Sequence, residues 1–338
     1  MWSNHSVFTT LYKESIEHHT KTFDEHWQNQ LLDKFQQSLG IFKTDCPFEP
    51  KTLEIVEENG YKRISMEIST FQNLRMQFYL LIPENKQRQP LPLVLAIHGH
   101  GYGNKDLVGL NADGTKRVGI QGIHKDFAIS LVNKGFIVAA PELIGFGERR
   151  YDTDSNPENE GDNTCYSFAS QLLLFGKTLA GLRVFECKRL LDYLVTEENV
   201  DENKIGCMGI SGGGLVTAFL SATDKRIQAA VISGYTNQFY SSIMRQHHCL
   251  DNYIPGILQY AEMPEIIALS VPRPLFIEAG IHDHLFPIKA TREAVKKIKK
   301  IYSCFGVGDA VDYQYFNGGH EVNGDKSITW LYHLLFNK

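Results

Sequence analysis

A doubly wound, mostly parallel α/β sheet is the fold class that this sequence predicts, and three observations predict it. From Leu93 onward, short apolar runs alternate with stretches of helical length and periodicity, the order that builds a parallel sheet with helices on both faces. The run Leu93-Val94-Leu95-Ala96-Ile97 is apolar throughout, as a strand covered on both sides must be. Ahead of it, polar and apolar residues alternate, which gives strands one wet face and places them at an antiparallel N-terminal edge. The chain therefore divides into an N-terminal helical extension, residues 1–50, and an α/β domain, residues 51–338, with a cap-like insertion at about 234–270.

Each element has its own signal. Phe23, Trp27, Leu31, Leu32, Phe35 and Leu39 recur at helical spacing, so residues 20–39 form an amphipathic helix. Its polar face is not rich in Lys or Arg, so its apolar face is expected to pack on the main domain or on a second subunit in a homo-oligomer, not on a membrane. Leu53-Glu54-Ile55 runs to Asn59-Gly60, a hairpin signal, and Ile64, Met66 and Ile68, then Leu74, Met76, Phe78 and Leu80, alternate with polar residues. Asp126 to Lys134 reads as a helix closed by Gly135, and Phe136 to Ala140 as a strand. Phe168 to Val195 is a long helical region that Gly176 and Gly181 are placed to interrupt. A strand from Lys204 to Ile210 is followed by a helix from Leu215, strands Ala229 to Ile232 and Leu275 to Ala279, and a basic helix near Ile288 to Tyr302. A strand from Val311 to Phe316 and a helix near Ser327 to Leu335 complete the series. The polar segments Asn104 to Lys125 and Tyr151 to Asn163 read as surface loops.

Composition narrows the function classes. A formal net charge of −5 over 338 residues, with no long basic run, argues against nucleic acid or an anionic membrane as partner. The start MWSNHSVFTT lacks the basic and apolar regions of a secretory signal, and no apolar stretch is long enough to span a bilayer, so the expected location is cytoplasmic. The six cysteines are scattered without CxxC spacing and read as buried thiols, not as a disulfide framework. His247, His248, Cys249, His282 and His284 offer neither a helical i,i+4 pair nor zinc-type Cys/His spacing, so no metal or other cofactor is expected.

The chemistry concentrates at Gly209-Ile210-Ser211-Gly212-Gly213. A strand driven into a G-x-S-x-G turn needs glycine on both sides of the serine, because strand and helix crowd any side chain there. The helix that follows puts Ser211 at a helix N-terminus, which favours developing negative charge. A serine hydroxyl needs a base, and the base an orienting acid. Asp283 follows the strand Leu275 to Ala279, and His320 follows the last strand in Asn317-Gly318-Gly319-His320. Loops at the carboxyl ends of parallel strands converge on one edge of the sheet, and the order Ser, Asp, His suits this architecture. An oxyanion formed on the substrate needs two preorganised N–H donors, each worth roughly a hundredfold or more in rate. Gly212 N–H is one candidate. His100 N–H, in Ile97-His98-Gly99-His100-Gly101-Tyr102-Gly103, is the other, with His98 read as a structural histidine of that turn. Tyr102, Glu142, Asp251 and Tyr253 are the candidate substrate-binding residues, and the cap segment from His248 to Gly256 is expected to line the pocket.

The HGHG segment, Pro141-Glu142-Leu143-Ile144-Gly145-Phe146-Gly147-Glu148-Arg149, the GISGGG elbow, the loop from Glu278 to Pro287 and Gly318-Gly319-His320-Glu321 together resemble the serine α/β-hydrolases. Within them the chain is most similar to the dienelactone-hydrolase-related and acetyl-xylan-esterase-like group, over about Leu93 to Phe336. The resemblance implies the triad Ser211, Asp283 and His320 and a carboxylic-ester substrate. True dienelactone hydrolases carry cysteine where this chain has Ser211, so lactone chemistry is not carried over. Small acylated sugars and other small-molecule esters, short-chain or acetyl, are the expected substrates. A thioesterase, a serine peptidase, or a non-catalytic binding protein of the same fold are the alternatives.

Overall fold

The computed structural model describes residues 5–84, 90–119, 121–151, 163–197 and 199–337. Nine strands form one sheet, β1 (Lys51–Glu58), β2 (Tyr61–Phe71), β3 (Leu74–Pro83), β4 (Leu91–Ile97), β5 (Ile137–Pro141), β6 (Val200–Ile210), β7 (Ile227–Ser233), β8 (Leu275–Gly280) and β9 (Val311–Phe316), in the order β1-β2-β3-β5-β4-β6-β7-β8-β9. The pairings among β1, β2, β3 and β5 are antiparallel and all the rest are parallel. The predicted doubly wound sheet with an antiparallel N-terminal edge is therefore the fold. The strand order reverses about β4, and the carboxyl ends of β4, β6, β8 and β9 open on one rim, the place where such sheets bind ligands.

Alternation along the strands sorts the apolar residues into two cores. Leu93, Leu95 and Ile97 of β4 join one of them and Val94 and Ala96 the other. The first core takes α2 (Glu25–Leu39), α5 (Leu179–Leu194), α6 (Gly212–Thr223) and α8 (Ile288–Cys304); the second takes α3 (Phe127–Asn133) and α9 (Ser327–Phe336). Helix α6 is buried almost all round, which explains why its sequence shows no polar face.

The apolar stripe of α2 is buried in cis. Phe35 meets Phe219 of α6 edge-on, with ring centroids 4.8 Å apart. Asp24 caps the helix, its side chain accepting Trp27 N–H at 2.8 Å. An additional helix, α1 (His5–Glu17), precedes it and leans on the insertion after β7. There Tyr12 stacks on Tyr240 with centroids 4.3 Å apart and donates to Glu262 Oε1 at 3.1 Å. That insertion runs through two 3-10 turns, Leu250–Asn252 and Ile257–Gln259, and α7 (Met263–Ala268) before β8.

Two expectations need correction and one falls elsewhere. The helical region expected from Phe168 to Val195 is two helices, α4 (Cys165–Leu174) and α5, broken at Gly176, whose φ of 65° lies in the left-handed region. Gly181 instead lies inside α5, where a Cβ would stand 2.1 Å from Leu39 O, so glycine lets α2 approach. The segment Asn104 to Lys125 is not wholly a surface loop: Leu107, Val108 and Leu110 are buried in the second core. The acidic loop Tyr151 to Asn163 lies largely outside the described residues. No described helix is long and apolar enough to cross a membrane.

Candidate active site

Ser211 sits between β6 and α6 with φ 57° and ψ −121°, a conformation that costs on the order of 1–3 kcal/mol for a residue with a Cβ. Ser211 N–H donates to Ser233 O at 3.0 Å, and Ser211 O accepts Leu215 N–H at 2.9 Å, so the turn is held from both sides. The flanking glycines are sterically required. A Cβ on Gly209 would lie 2.3 Å from Gly213 O, and one on Gly213 would lie 2.2 Å from Ile97 O. Gly99 is equally constrained, since a Cβ there would meet Ile210 O at 2.7 Å and Ser211 Cβ at 3.0 Å. The HGHG turn therefore packs directly on the elbow.

The acid and histidine loops are laced together by backbone bonds. Ile281 N–H donates to Phe316 O at 2.9 Å and His282 N–H to Gly318 O at 3.0 Å. Gly280 permits the contact, for a Cβ there would lie 2.0 Å from Gly319 O. His320 Nδ1 lies 2.7 Å from Asp283 Oδ2. The other carboxylate oxygen, Oδ1, accepts Leu285 N–H at 2.9 Å and Phe286 N–H at 3.0 Å, which fixes Asp283 in place. Phe286 stacks on the imidazole with centroids 5.7 Å apart and an interplanar angle of 17°. His320 Nε2 is buried and has no hydrogen-bond partner among the described residues. The hydrogen bond from Ser211 is thus not made in this structure, although both side chains line one cavity; catalytic hydrogen bonds are often long in a free enzyme.

That cavity has a volume of about 610 Å³ and is lined by Ser211, Gly212, His100 and His320 together with residues of α4 and of the insertion after β7. A Cβ on Gly212 would lie 3.5 Å from His100 Nδ1, so the two residues expected to supply oxyanion donors adjoin. Of the cap segment, His248, Cys249, Leu250 and Asn252 line the cavity. From Tyr253 to Gly256 the chain lines a different groove, against α1.

The four residues expected to bind substrate are absent from the cavity lining. Tyr102 donates to Leu110 O at 2.9 Å and accepts from Arg117. Glu142 is buried between two turns: it accepts Asn104 N–H at 3.1 Å, and a Cβ on Gly103 or Gly147 would lie 2.2 or 2.3 Å from its carboxylate. Asp251 is buried in an ion pair with Arg183 at 2.5 Å. Tyr253, 42% exposed, donates to Ile243 O at 3.1 Å. Conversely, Cys165 and Tyr166 of α4 and Leu285 and Phe286 beyond the acid line the cavity, and no local motif marks them.

The neighbouring charged groups are structural. His98 is fully buried; its Nδ1 bonds Gly99 O at 2.8 Å and its Nε2 accepts Leu143 N–H at 3.0 Å. Arg149 pairs with Glu186 at 2.6 Å. Glu278 accepts from Ser233 Oγ, Gly324 N–H and Ser327 Oγ, and burial raises its pKa despite those bonds. The neighbouring Cys249 thiol, above all, holds the Cys165 thiol below the ordinary range, burial opposing and Arg183 and His100 assisting.

His124 supports the HGHG turn by accepting Gly99 N–H at Nε2, 2.9 Å away. Burial above all, assisted by the positive field of Arg117, lowers its pKa from 6.5 to about 3. The folded protein therefore keeps this ring neutral while the unfolded chain protonates it below 6.5. Its contribution to stability is complete above that pH and is lost as pH falls toward 3, by up to roughly 1.4 kcal/mol per pH unit. Urea unfolding at a series of pH values checks this. The wild type is expected to lose stability more steeply between pH 6 and 4 than His124→Gln, which does not titrate there.

Comparison with known proteins agrees with this architecture. The model of the Abhydrolase family matches residues 9–301. "Putative hydrolase YtaP" of Bacillus subtilis (strain 168) is 27% identical over 197 residues, 57% of this chain and 62% of that protein, so less than two thirds of that relative's length is covered. Among solved structures, a "putative acetyl xylan esterase" from Bacteroides fragilis superimposes with a TM-score of 0.75 at 19% identity, covering 94% of this chain and 83% of that one. The glucuronoyl esterase from Solibacter usitatus gives 0.63 at 15% identity, with 93% of each chain covered. At such identities the likeness speaks for the fold. With the family model spanning most of its length and the sheet described above, this chain belongs to the Abhydrolase family and has the α/β-hydrolase fold.

Proposed function

We propose that this protein is a serine carboxylesterase that cleaves small esters, acetyl and other short-chain esters first among them, through an acyl-enzyme intermediate. His320 Nε2 takes the proton of Ser211 Oγ as that oxygen attacks the ester carbonyl. The N–H groups of Gly212 and His100 hold the oxyanion, and the tetrahedral intermediate collapses as His320 protonates the departing alcohol. His320 then deprotonates a water that attacks the acyl-enzyme, and Ser211 is released with its proton restored.

One observation carries this reading: a serine in a strained strand-to-helix turn shares a cavity with a histidine whose Nδ1 is 2.7 Å from a buried aspartate. The esterase names of the structural neighbours support it. Polar cavity residues such as Asn163, Tyr166, His247 and Asn252 offer hydrogen bonds to sugar hydroxyls, which supports acetylated sugars as substrates. A panel of p-nitrophenyl esters from acetate to octanoate, with acetylated monosaccharides, tests the substrate class. The expected result is kcat/KM falling with acyl length and measurable acetate release from the sugars. A rise toward octanoate, with no release from sugars, would contradict it.

A further inference from the structure

The cavity wall beside Ser211 carries three side chains that the esterase mechanism does not use. A donor atom of His100, Cys165 Sγ and Cys249 Sγ all lie within 4.8 Å of one another. They come from three separate places: the HGHG turn after β4, the first residue of α4 and the insertion after β7. All three line the same cavity. From this juxtaposition the geometry points to a binding site for one soft or borderline divalent cation of the zinc class, ligated by one imidazole and two thiolates with a fourth position open to the cavity.

The chemistry of the donors selects that class, since thiolate and imidazole suit zinc-like ions, whereas magnesium and calcium prefer oxygen. Tetrahedral ligation with bonds of about 2.0–2.3 Å sets donors about 3.5–3.8 Å apart. The cluster therefore needs a contraction of about 1.3 Å at most, within reach of side-chain rotation for the two partly exposed ligands, His100 and Cys249. Cys165 is the buried ligand, and its sulfur is already fixed, accepting a hydrogen bond from Arg183 Nη2 at 3.0 Å. Such outer partners orient metal ligands. The guanidinium does not leave an unbalanced positive charge there, because Asp251 pairs with it. Because the donors face a cavity, an ion reaches them without unfolding the chain. Binding replaces thiol protons, which pass to solvent, and no oxidation is involved.

Occupancy has a consequence for the esterase reading. His100 adjoins Gly212, whose notional Cβ is 3.5 Å from its Nδ1, so an ion on this imidazole takes space that the acyl group and oxyanion need. The ion is inhibitory, and this part rests on the proposed function.

Cobalt(II) titration of the full-length, reduced protein under anaerobic conditions tests the site without relying on turnover. The expected result is one equivalent of cobalt per chain, with thiolate-to-cobalt charge-transfer absorption and the visible bands of tetrahedral cobalt. Zn²⁺ is expected to displace the spectrum and remove most p-nitrophenyl acetate turnover, and a chelator to restore the activity. Cys165→Ser and Cys249→Ser are each expected to lose the thiolate spectrum; the second, partly exposed, keeps the test usable should the first fail to fold. Absence of the spectrum in the wild type, or its persistence at full intensity in a folded variant, would overturn the site. A cobalt spectrum without inhibition by Zn²⁺ would overturn the inhibitory role. Absence of hydrolysis by metal-free protein would instead refute the esterase reading, so the failures are separable.

Discussion

Ser211→Ala is expected to lower hydrolysis of p-nitrophenyl acetate by about 10⁴- to 10⁶-fold, the scale seen when a triad nucleophile is removed, while leaving the unfolding midpoint almost unchanged. The two parts of this expectation have different causes. Turnover falls because Ser211 supplies the hydroxyl that the elbow presents to the cavity that holds His320. Stability holds because alanine keeps the Cβ, so the strain at φ 57° is the same before and after. The backbone bonds from Ser211 to Ser233 and Leu215 are also untouched. Steady-state kinetics and thermal unfolding of the purified variant read the two parts separately. A variant that lost both would point to a structural role for the hydroxyl.

Asp251→Ala is expected to destabilise the protein by about 3–5 kcal/mol, because it strands a buried guanidinium. Arg183 is fully buried, and Asp251 is its only carboxylate partner among the described residues. Its remaining contacts, to Ile144 O, Cys165 Sγ and the Phe146 ring, include no second carboxylate. Asp251→Asn is expected to lose less, since an amide oxygen still accepts a hydrogen bond. Urea unfolding checks both. Should Asp251→Ala raise KM alone, with the unfolding transition in place, the residue would be binding substrate and the ion-pair account would fail.

The contrast between these two residues shows what a sequence reveals at such a site. The turn that presents Ser211 was legible because its geometry is local: the glycines at 209 and 213 and the strand before them are consequences of one crowded turn. Asp283 and His320 were legible for a related reason, since each follows a strand that ends on the same rim. Asp251 lies in an insertion, and the direction of its carboxylate depends on Arg183, which with Glu186 interrupts the buried apolar stripe of α5. Periodicity has no way to foresee that partner. Tyr102 and Glu142 follow β4 and β5 at the rim, but each is held by nearby backbone, Tyr102 donating to Leu110 O and Glu142 accepting Asn104 N–H. The helix α1 escaped notice because HSVFTTLYKESIE mixes β-branched and polar residues. Its support comes from the insertion, through Tyr12 and Glu262. Cys165 and Cys249 are 84 residues apart in sequence (249 − 165), so spacing rules for metal sites do not apply to them.

The proposed catalysis requires an imidazole to activate the hydroxyl of Ser211, and covalent labelling reads that event directly. Intact-mass analysis after treatment with a fluorophosphonate is predicted to show one adduct per chain on the wild type, none on Ser211→Ala, and a strongly slowed reaction on His320→Ala. An adduct that forms on Ser211→Ala at the wild-type rate, or a folded wild type that takes up no label, would contradict it.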